Sequence, residues 1–275
     1  MLIKGEYYYT WAMNTPASSL LSVSFQQPAL KQAAQSFAEA HQLSCQPLHK
    51  ARSILTLNFN ELQLELIDLQ NKMTLTVDFI GGSLGHRKKY GGGKNQTIAR
   101  AIGIKQGQGA PSVLDATAGL ARDSYVFACL GCKVTMLERS PVIAALVEDG
   151  IQRARLNTEF NHTIGQGFVL HHRDALSYLQ AMDDDYPDVI YLDPMYPEKK
   201  KSAAVKKNMQ MLQKLIGHDT DTDQLLAIAL TKALKRVVVK RPRTAPPLQS
   251  TRKPTLSYES KATRYDVYII PRDNQ

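Results

Sequence analysis

Four short apolar runs, each ending on an acidic residue, limit what this chain can fold into. Val113-Leu114 leads to Asp115, the run from Lys133 to Leu137 leads to Glu138, that from Gly167 to His172 to Asp174, and Val189-Ile190-Tyr191-Leu192 to Asp193. Short continuous apolar segments bounded by turn residues read as strands buried on both faces. The stretch after the first run, Ser124 to Leu130, reads as a helix, so the spacing predicts a mostly parallel α/β sheet. In open sheets of that kind ligands bind outside the carboxyl ends of the strands, where these four acids fall.

The turn after the first strand narrows the ligand. Thr117-Ala118-Gly119-Leu120-Ala121-Arg122-Asp123 is rich in small residues and brings backbone N–H groups toward the start of a helix. It lacks the G-x-G-x-x-G spacing that lets a backbone approach a pyrophosphate, which weakens a dinucleotide reading. Glu138 lies 23 positions after Asp115, where a Rossmann-like sheet binds ribose hydroxyls, and Asp174 is placed to hold an adenine amine. S-adenosylmethionine, which carries no phosphate, suits such a site better. At the fourth strand end, Asp193 and the Pro194 carbonyl can accept both hydrogens of a planar amino group, with Tyr196 flat against the ring that bears it. Taken alone, the same residues also read as a turn cap, a strand stop and a core aromatic.

The residues in sequence order resemble the small-subunit ribosomal RNA guanine methyltransferases of type J. The resemblance runs through Gly81-Gly82-Ser83-Leu84-Gly85-His86-Arg87, Gly91-Gly92-Gly93-Lys94, Asp115-Ala116-Thr117-Ala118-Gly119-Leu120, Leu137-Glu138-Arg139-Ser140-Pro141 and Tyr191-Leu192-Asp193-Pro194-Met195-Tyr196-Pro197. It implies a Rossmann-like class I methyltransferase fold and methyl transfer from S-adenosylmethionine to the exocyclic N2 amine of a guanosine in 16S ribosomal RNA of the small subunit. It places cofactor contacts on Arg122, Asp123, Glu138, Arg139, Asp174, Ala175 and Asp193, beside Asp115 and Gly119 of the turn, and catalysis on Asp193, Pro194 and Tyr196. Met195 stands where the wider class of amine methyltransferases carries a second proline, which leaves the Asp193 carboxylate and Pro194 carbonyl in place. Methylation of a DNA amine or a protein glutamine, and a non-catalytic RNA-binding assembly role, are the alternatives.

Charge agrees with an RNA partner. The formal net charge is +9 with a pI near 9.4, which favours a polyanion. His86, Arg87, Lys88, Lys89 and Lys94 form one basic run, and Lys199, Lys200, Lys201, Lys206 and Lys207 follow the Asp193 loop. From Gln224 to Tyr258 there is no acidic residue, and Lys240, Arg241 and Arg243 are expected to project beyond a fifth strand, Arg236 to Val239, as phosphate contacts.

The remaining expectations concern organisation. Residues 1–80 read as a small α+β subdomain, with a helix over Pro28 to His41 and a β meander over Ile54–Asn58, Leu62–Asp68 and Met73–Asp78; residues 81–275 read as the methyltransferase domain. Gly91 to Thr97 lacks phosphate-loop spacing and reads as a crossing into a helix from Gln96 to Ile102. Thr255–Ser260 and Arg264–Ile270 read as an antiparallel pair at the sheet edge. Cys129 and Cys132 make a lone C-x-x-C and read as core residues, and His171-His172 point to opposite faces of a strand, so neither a metal nor a disulfide is expected. No run approaches the roughly 20 apolar residues of a membrane helix and no leader is evident, so a soluble cytoplasmic protein is expected.

Overall fold

A computed structural model describes residues 20–81, 96–105, 107–195, 211, 212, 215 and 221–271. The chain divides into two compact units, Met1–Val77 and Asp78–Gln275.

The first unit is a five-stranded sheet in the order β2-β1-β3-β4-β5. Strand β1 (Leu21–Phe25) runs parallel to β2 (Cys45–Pro47) on one side and to β3 (Leu55–Phe59) on the other. The expected meander follows as β3, β4 (Leu64–Asp68) and β5 (Met73–Leu75), paired antiparallel. Helix α1 (Lys31–Ala40) lays Ala34 and Ala38 against Val23 and Phe25, because alternate residues of β1 share a face. The other face of β1 is buried and polar: Ser22 Oγ donates to Thr56 Oγ1 (3.2 Å) and Ser24 Oγ to Asn58 Oδ1 (2.9 Å). Strands β1 and β2 were not expected from the sequence.

The second unit is a seven-stranded sheet in the order β11-β12-β10-β9-β6-β7-β8. Strands β6 (Val113–Asp115), β7 (Val134–Glu138), β8 (Phe168–His172) and β9 (Val189–Leu192), whose apolar runs lead to acids, are parallel to one another and to β10 (Arg236–Pro242). β11 (Leu256–Glu259) and β12 (Thr263–Ile269) close the sheet, with β12 antiparallel to both β10 and β11. All four residues of β9 are buried, as expected of a central parallel strand covered on both faces. On one face Ile190 and Leu192 meet Leu179 of α6 (Ala175–Gln180) and Leu226 and Ala229 of α7 (Thr222–Lys232). On the other, Tyr191 packs edge-to-face on Phe127 of α3 (Arg122–Cys129), with ring centroids 4.9 Å apart. Helices α2 (Thr97–Ala101), α4 (Pro141–Arg155) and α5 (Thr158–Thr163) complete the described set. None of the described helices is long and apolar enough to cross a membrane.

Strand β12 carries a buried acid in mid-strand. Asp266 is stabilised by a two-pronged pair with Arg264 (Nε to Oδ1 2.7 Å, Nη2 to Oδ2 2.9 Å) and by Ser257 Oγ of β11 at 2.8 Å. Its neighbour Tyr268 has no such compensation: the residue is 1 % exposed and its hydroxyl has no hydrogen-bond partner among the described residues. A buried hydroxyl without a partner costs about 1 to 3 kcal/mol. Tyr268→Phe is therefore expected to raise unfolding stability by up to about 1 kcal/mol once loss of dispersion contacts is counted, read as an increased urea midpoint with unchanged slope.

Two local expectations are corrected. The fifth strand does not stop at Val239, because Lys240, Arg241 and Pro242 continue the ladder opposite Tyr265, Arg264 and Thr263 of β12. Cys129 is exposed at the end of α3, whereas Cys132 is buried as expected. Cys129 is the last residue of the helix, one turn beyond Tyr125, whereas Tyr125, Val126 and Phe127 fill the core.

Candidate active site

The chain runs outward from β6 through β7 to β8, then returns to place β9 on the other side of β6. This reversal opens a crevice at the carboxyl ends of β6 and β9, the usual ligand position in such sheets. A cavity of about 360 Å³ occupies it, lined by Asp115, Gly119, Asp123, Glu138, Asp174 and Asp193 among others.

The turn from β6 into α3 sits under this cavity. Gly119 has a φ of +52° and Ala121 one of +56°, so two left-handed residues fold the chain sharply before the helix. That conformation costs a non-glycine residue roughly 1 to 2 kcal/mol. Nothing lies within 4 Å of where a Cβ would stand on Gly119, so the turn opens directly onto the cavity. Asp115, 2 % exposed, accepts from Ser124 Oγ and from the Thr117 N–H (3.2 Å). Burial, reinforced by the charges of Asp123 and Asp193 and partly offset by these hydrogen bonds, pushes its carboxyl up to about 7 from an ordinary 3.8.

The sign of the resulting linkage is definite. Because the folded state holds this proton more tightly than the unfolded chain does, the contribution is complete below about pH 4 and is lost as pH rises to about 7. Asp115→Asn, which keeps both hydrogen-bonding partners, is expected to flatten that part of the stability curve. Urea midpoints measured from pH 5 to 8 in both proteins check it; parallel curves would contradict the assignment.

Glu138 ends β7 and is oriented by backbone: Oε2 accepts from the Gly119 N–H (2.9 Å) and Oε1 from the Ser140 N–H (2.7 Å). Ser140 in turn caps α4. Arg139 lies 3.5 Å from Asp221 at the mouth of the cavity. Asp174 caps α6 by accepting at Oδ1 from Ser177 N–H (2.8 Å) and Oγ (2.9 Å), which sets Ala175 as the first helical residue. Arg122 is exposed at the start of α3 and lines the cavity.

Asp193 follows β9, its N–H donating to Thr117 Oγ1 at 2.6 Å. Its Oδ2 accepts from Lys240 Nζ (2.6 Å), which also donates to Asp123 Oδ2 (2.7 Å). The buried Tyr191 hydroxyl donates to that same Asp123 oxygen at 2.7 Å. Burial alone would lower the Lys240 ammonium, but the Asp193 and Asp123 charges outweigh it and hold it well above its ordinary range. The expectation that Lys240 and Arg241 reach for RNA phosphate is thus corrected. Lys240 turns inward onto two carboxylates, and the buried Arg241 donates to the Pro246 carbonyl through Nε (3.2 Å) and Nη2 (2.9 Å). Arg243 remains exposed beyond β10, 3.8 Å from an equally open Glu259.

The structure thus brings Asp115, Gly119, Arg122, Asp123, Glu138, Arg139, Asp174, Ala175, Asp193 and Pro194 around one cavity. Tyr196 and the basic residues His86, Arg87, Lys88, Lys89, Lys94, Lys199, Lys200, Lys201, Lys206 and Lys207 lie outside the described residues. Sequence reasoning missed Thr117, Tyr191, Asp221 and the inward turn of Lys240. Only Tyr191 carried a signal, as a hydroxyl in an apolar strand next to Asp193. Among the described residues no group of three or more His, Cys, Asp or Glu is arranged to hold a metal ion.

Carboxylates at successive strand ends accept hydrogen bonds from hydroxyls and amines and attract a cation, whereas they would repel a pyrophosphate. This donor and acceptor set fits S-adenosylmethionine. Such a cavity on a parallel sheet with an antiparallel β12 defines a Rossmann-like S-adenosylmethionine-dependent methyltransferase. A family model described as "Putative SAM-dependent methyltransferase" matches residues 36–270. A SAM-dependent methyltransferase from Neisseria gonorrhoeae of known crystal structure is similar at a TM-score of 0.69 and 32 % identity, over 92 % of this chain and 98 % of that one. The ribosomal RNA small subunit methyltransferase J of Colwellia psychrerythraea is 49 % identical over 220 residues, covering 80 % of this chain and 79 % of the relative. That of Vibrio vulnificus is 46 % identical over 246 residues, covering 86 % and 94 %. The chain belongs to the ribosomal RNA small subunit methyltransferase J family.

Proposed function

We propose that the chain methylates the exocyclic N2 amine of a guanosine in 16S ribosomal RNA of the small subunit, working in the cytoplasm where ribosomes assemble. The observation that carries this reading is Asp193-Pro194 at the end of β9, on the rim of a cavity whose other strand ends carry Glu138 and Asp174. The names of relatives such as those of Colwellia psychrerythraea and Vibrio vulnificus supply the substrate class.

The chemistry required of the chain follows from the target. A guanine amino nitrogen is a poor nucleophile because its lone pair is delocalised into the ring. Asp193 and the Pro194 carbonyl accept its two hydrogens and so favour a pyramidal nitrogen whose lone pair points into the cavity. When bound, S-adenosylmethionine supplies an electrophilic methyl group on a sulfonium. Overall the amine would take the methyl group and release one proton to solvent water, and S-adenosylhomocysteine would leave. Fixing the acceptor in line supplies roughly 7 to 11 kcal/mol of such a barrier in well-oriented cases. The Asp193 carboxylate stabilises the positive charge that develops on nitrogen, an electrostatic role that asks for no strong base. A paired guanine hides this amine, so the nucleotide is taken single-stranded or flipped out, with Tyr196 as its stacking surface. Arg243, exposed beyond β10, and the basic runs around Lys88 and Lys200 grip flanking phosphates.

Transfer of labelled methyl from S-adenosylmethionine to small subunits from cells lacking this protein, followed by nucleoside analysis, tests the reading. Label in N2-methylguanosine is expected. Label in a DNA or protein substrate instead would redirect the assignment, and none in any substrate would leave an assembly role.

A further inference from the structure

We infer that Lys240 is a positioning residue of the acceptor site, holding the Asp193 carboxylate ionised and fixed by tying it to Asp123. This rests on the reading of Asp193 as the acceptor of the amine hydrogens.

Three elements meet at one ammonium. Lys240 projects from β10, its backbone paired with Tyr265 of β12; Asp123 comes from the first turn of α3; Asp193 follows β9. The lysine Nζ stands 2.6 Å from Asp193 Oδ2 and 2.7 Å from Asp123 Oδ2, and Asp123 is braced from below by the Tyr191 hydroxyl at 2.7 Å. Two carboxylates separated by the width of one ammonium are mutually repulsive unless that cation is present. Among the described residues, the groups facing Asp193 include Lys240 from β10, Asp123 from α3, Asp115 from β6 and Tyr191 from β9, and Tyr265 of β12 faces Tyr191 in turn. Two of these, Asp123 and Asp115, are acidic side chains near Asp193, and the lysine offsets them.

The chemical consequence concerns what Asp193 offers. As a carboxylate it accepts hydrogens; with a proton added it would present a donor to the very lone pair that must attack. A carboxylate already bound to an ammonium is a weak base, which keeps it in the accepting form as charge builds on the substrate nitrogen. Lys240 acts through Asp193 and has no need to touch RNA.

The test compares Lys240→Met, Lys240→Arg and Lys240→Met with Asp123→Asn in methyl transfer to small subunits. For Lys240→Met the expected result is a kcat lowered about ten-fold or more, a KM for subunits within about two-fold, and an acid limb of the kcat profile moved up by about one pH unit or more. Lys240→Arg keeps the charge and is expected to retain most of kcat. Asp123→Asn in the Lys240→Met background removes the second carboxylate and is expected to bring the acid limb back. A raised KM with kcat intact would make Lys240 a phosphate contact and overturn the inference. A lowered kcat with an unmoved pH profile, and no recovery in the double variant, would make it merely structural and overturn it equally.

Carboxyl titration of 13C-aspartate-labelled protein, with the Asp193 signal assigned through Asp193→Asn, gives a reading without any substrate. An upward shift of that signal in Lys240→Met is expected, and its absence would sink the inference. If the wild-type chain transferred no methyl to RNA, the proposed function would fail while this titration still decided the coupling.

Discussion

Replacing Asp193 by Asn is expected to lower kcat about 10²- to 10³-fold, the range seen when one preorganised polar group is removed from a site of developing charge. Asparagine keeps the backbone path from β9 and the Asp193 N–H bond to Thr117, so the fold should be undisturbed. What it loses is the negative charge, and half of its terminal group turns from acceptor to donor. Lys240 would then retain Asp123 as its ionised partner among the described residues. Single-turnover methylation separates the chemical step from binding, and calorimetry with S-adenosylhomocysteine should give an affinity within a few-fold of wild type. An unchanged single-turnover rate would remove Asp193 from catalysis.

The second large effect is expected at Glu138, and on binding rather than rate. Its two oxygens accept the Gly119 and Ser140 N–H groups at 2.9 and 2.7 Å, so Glu138→Ala takes the acceptor from one buried donor, Ser140, and one half-buried donor, Gly119, and frees the turn beneath the cavity. Each orphaned buried donor costs about 1 to 3 kcal/mol. Part of that loss falls on folding, and the ligand loses a carboxylate acceptor besides. We expect affinity for S-adenosylhomocysteine to fall by roughly 2 to 3 kcal/mol, which is about 30- to 150-fold, with a lower melting temperature. Calorimetry reads the first and scanning fluorimetry the second. Glu138→Gln should lie between, since one of its two terminal atoms still accepts.

The contrast between these sites shows which parts of the protein were legible in sequence. Asp115, Glu138, Asp174 and Asp193 were readable because each closes a short apolar run, and the carboxyl end of a parallel strand is a fixed place in the fold. Lys240 and Arg241 were misread for the complementary reason. Two basic residues after Val237-Val238-Val239 look like the start of a loop, and only the pairing with Tyr265 and Arg264, more than twenty residues onward, makes them strand. No local period reports a partner that distant. β1 was accessible, since Leu21, Val23 and Phe25 alternate with Ser22 and Ser24. β2 was not: three residues ending in a proline carry no pattern, and they are a strand only because β1 lies alongside.

The order of the large sheet also bears on how the enzyme comes into being. β12 is the final described strand in the chain, yet it lies inside the sheet between β10 and β11. During synthesis β6 to β10 emerge in an order that lets each find a parallel neighbour, but β11 emerges before the strand it pairs with. Until residues 263–269 have been made, β10 has an open edge beside Lys240, Arg241 and Pro242. A nascent chain therefore holds most of a cofactor cavity without a finished wall beside the acceptor carboxylate, and competence arrives late, when the last hairpin slides into place.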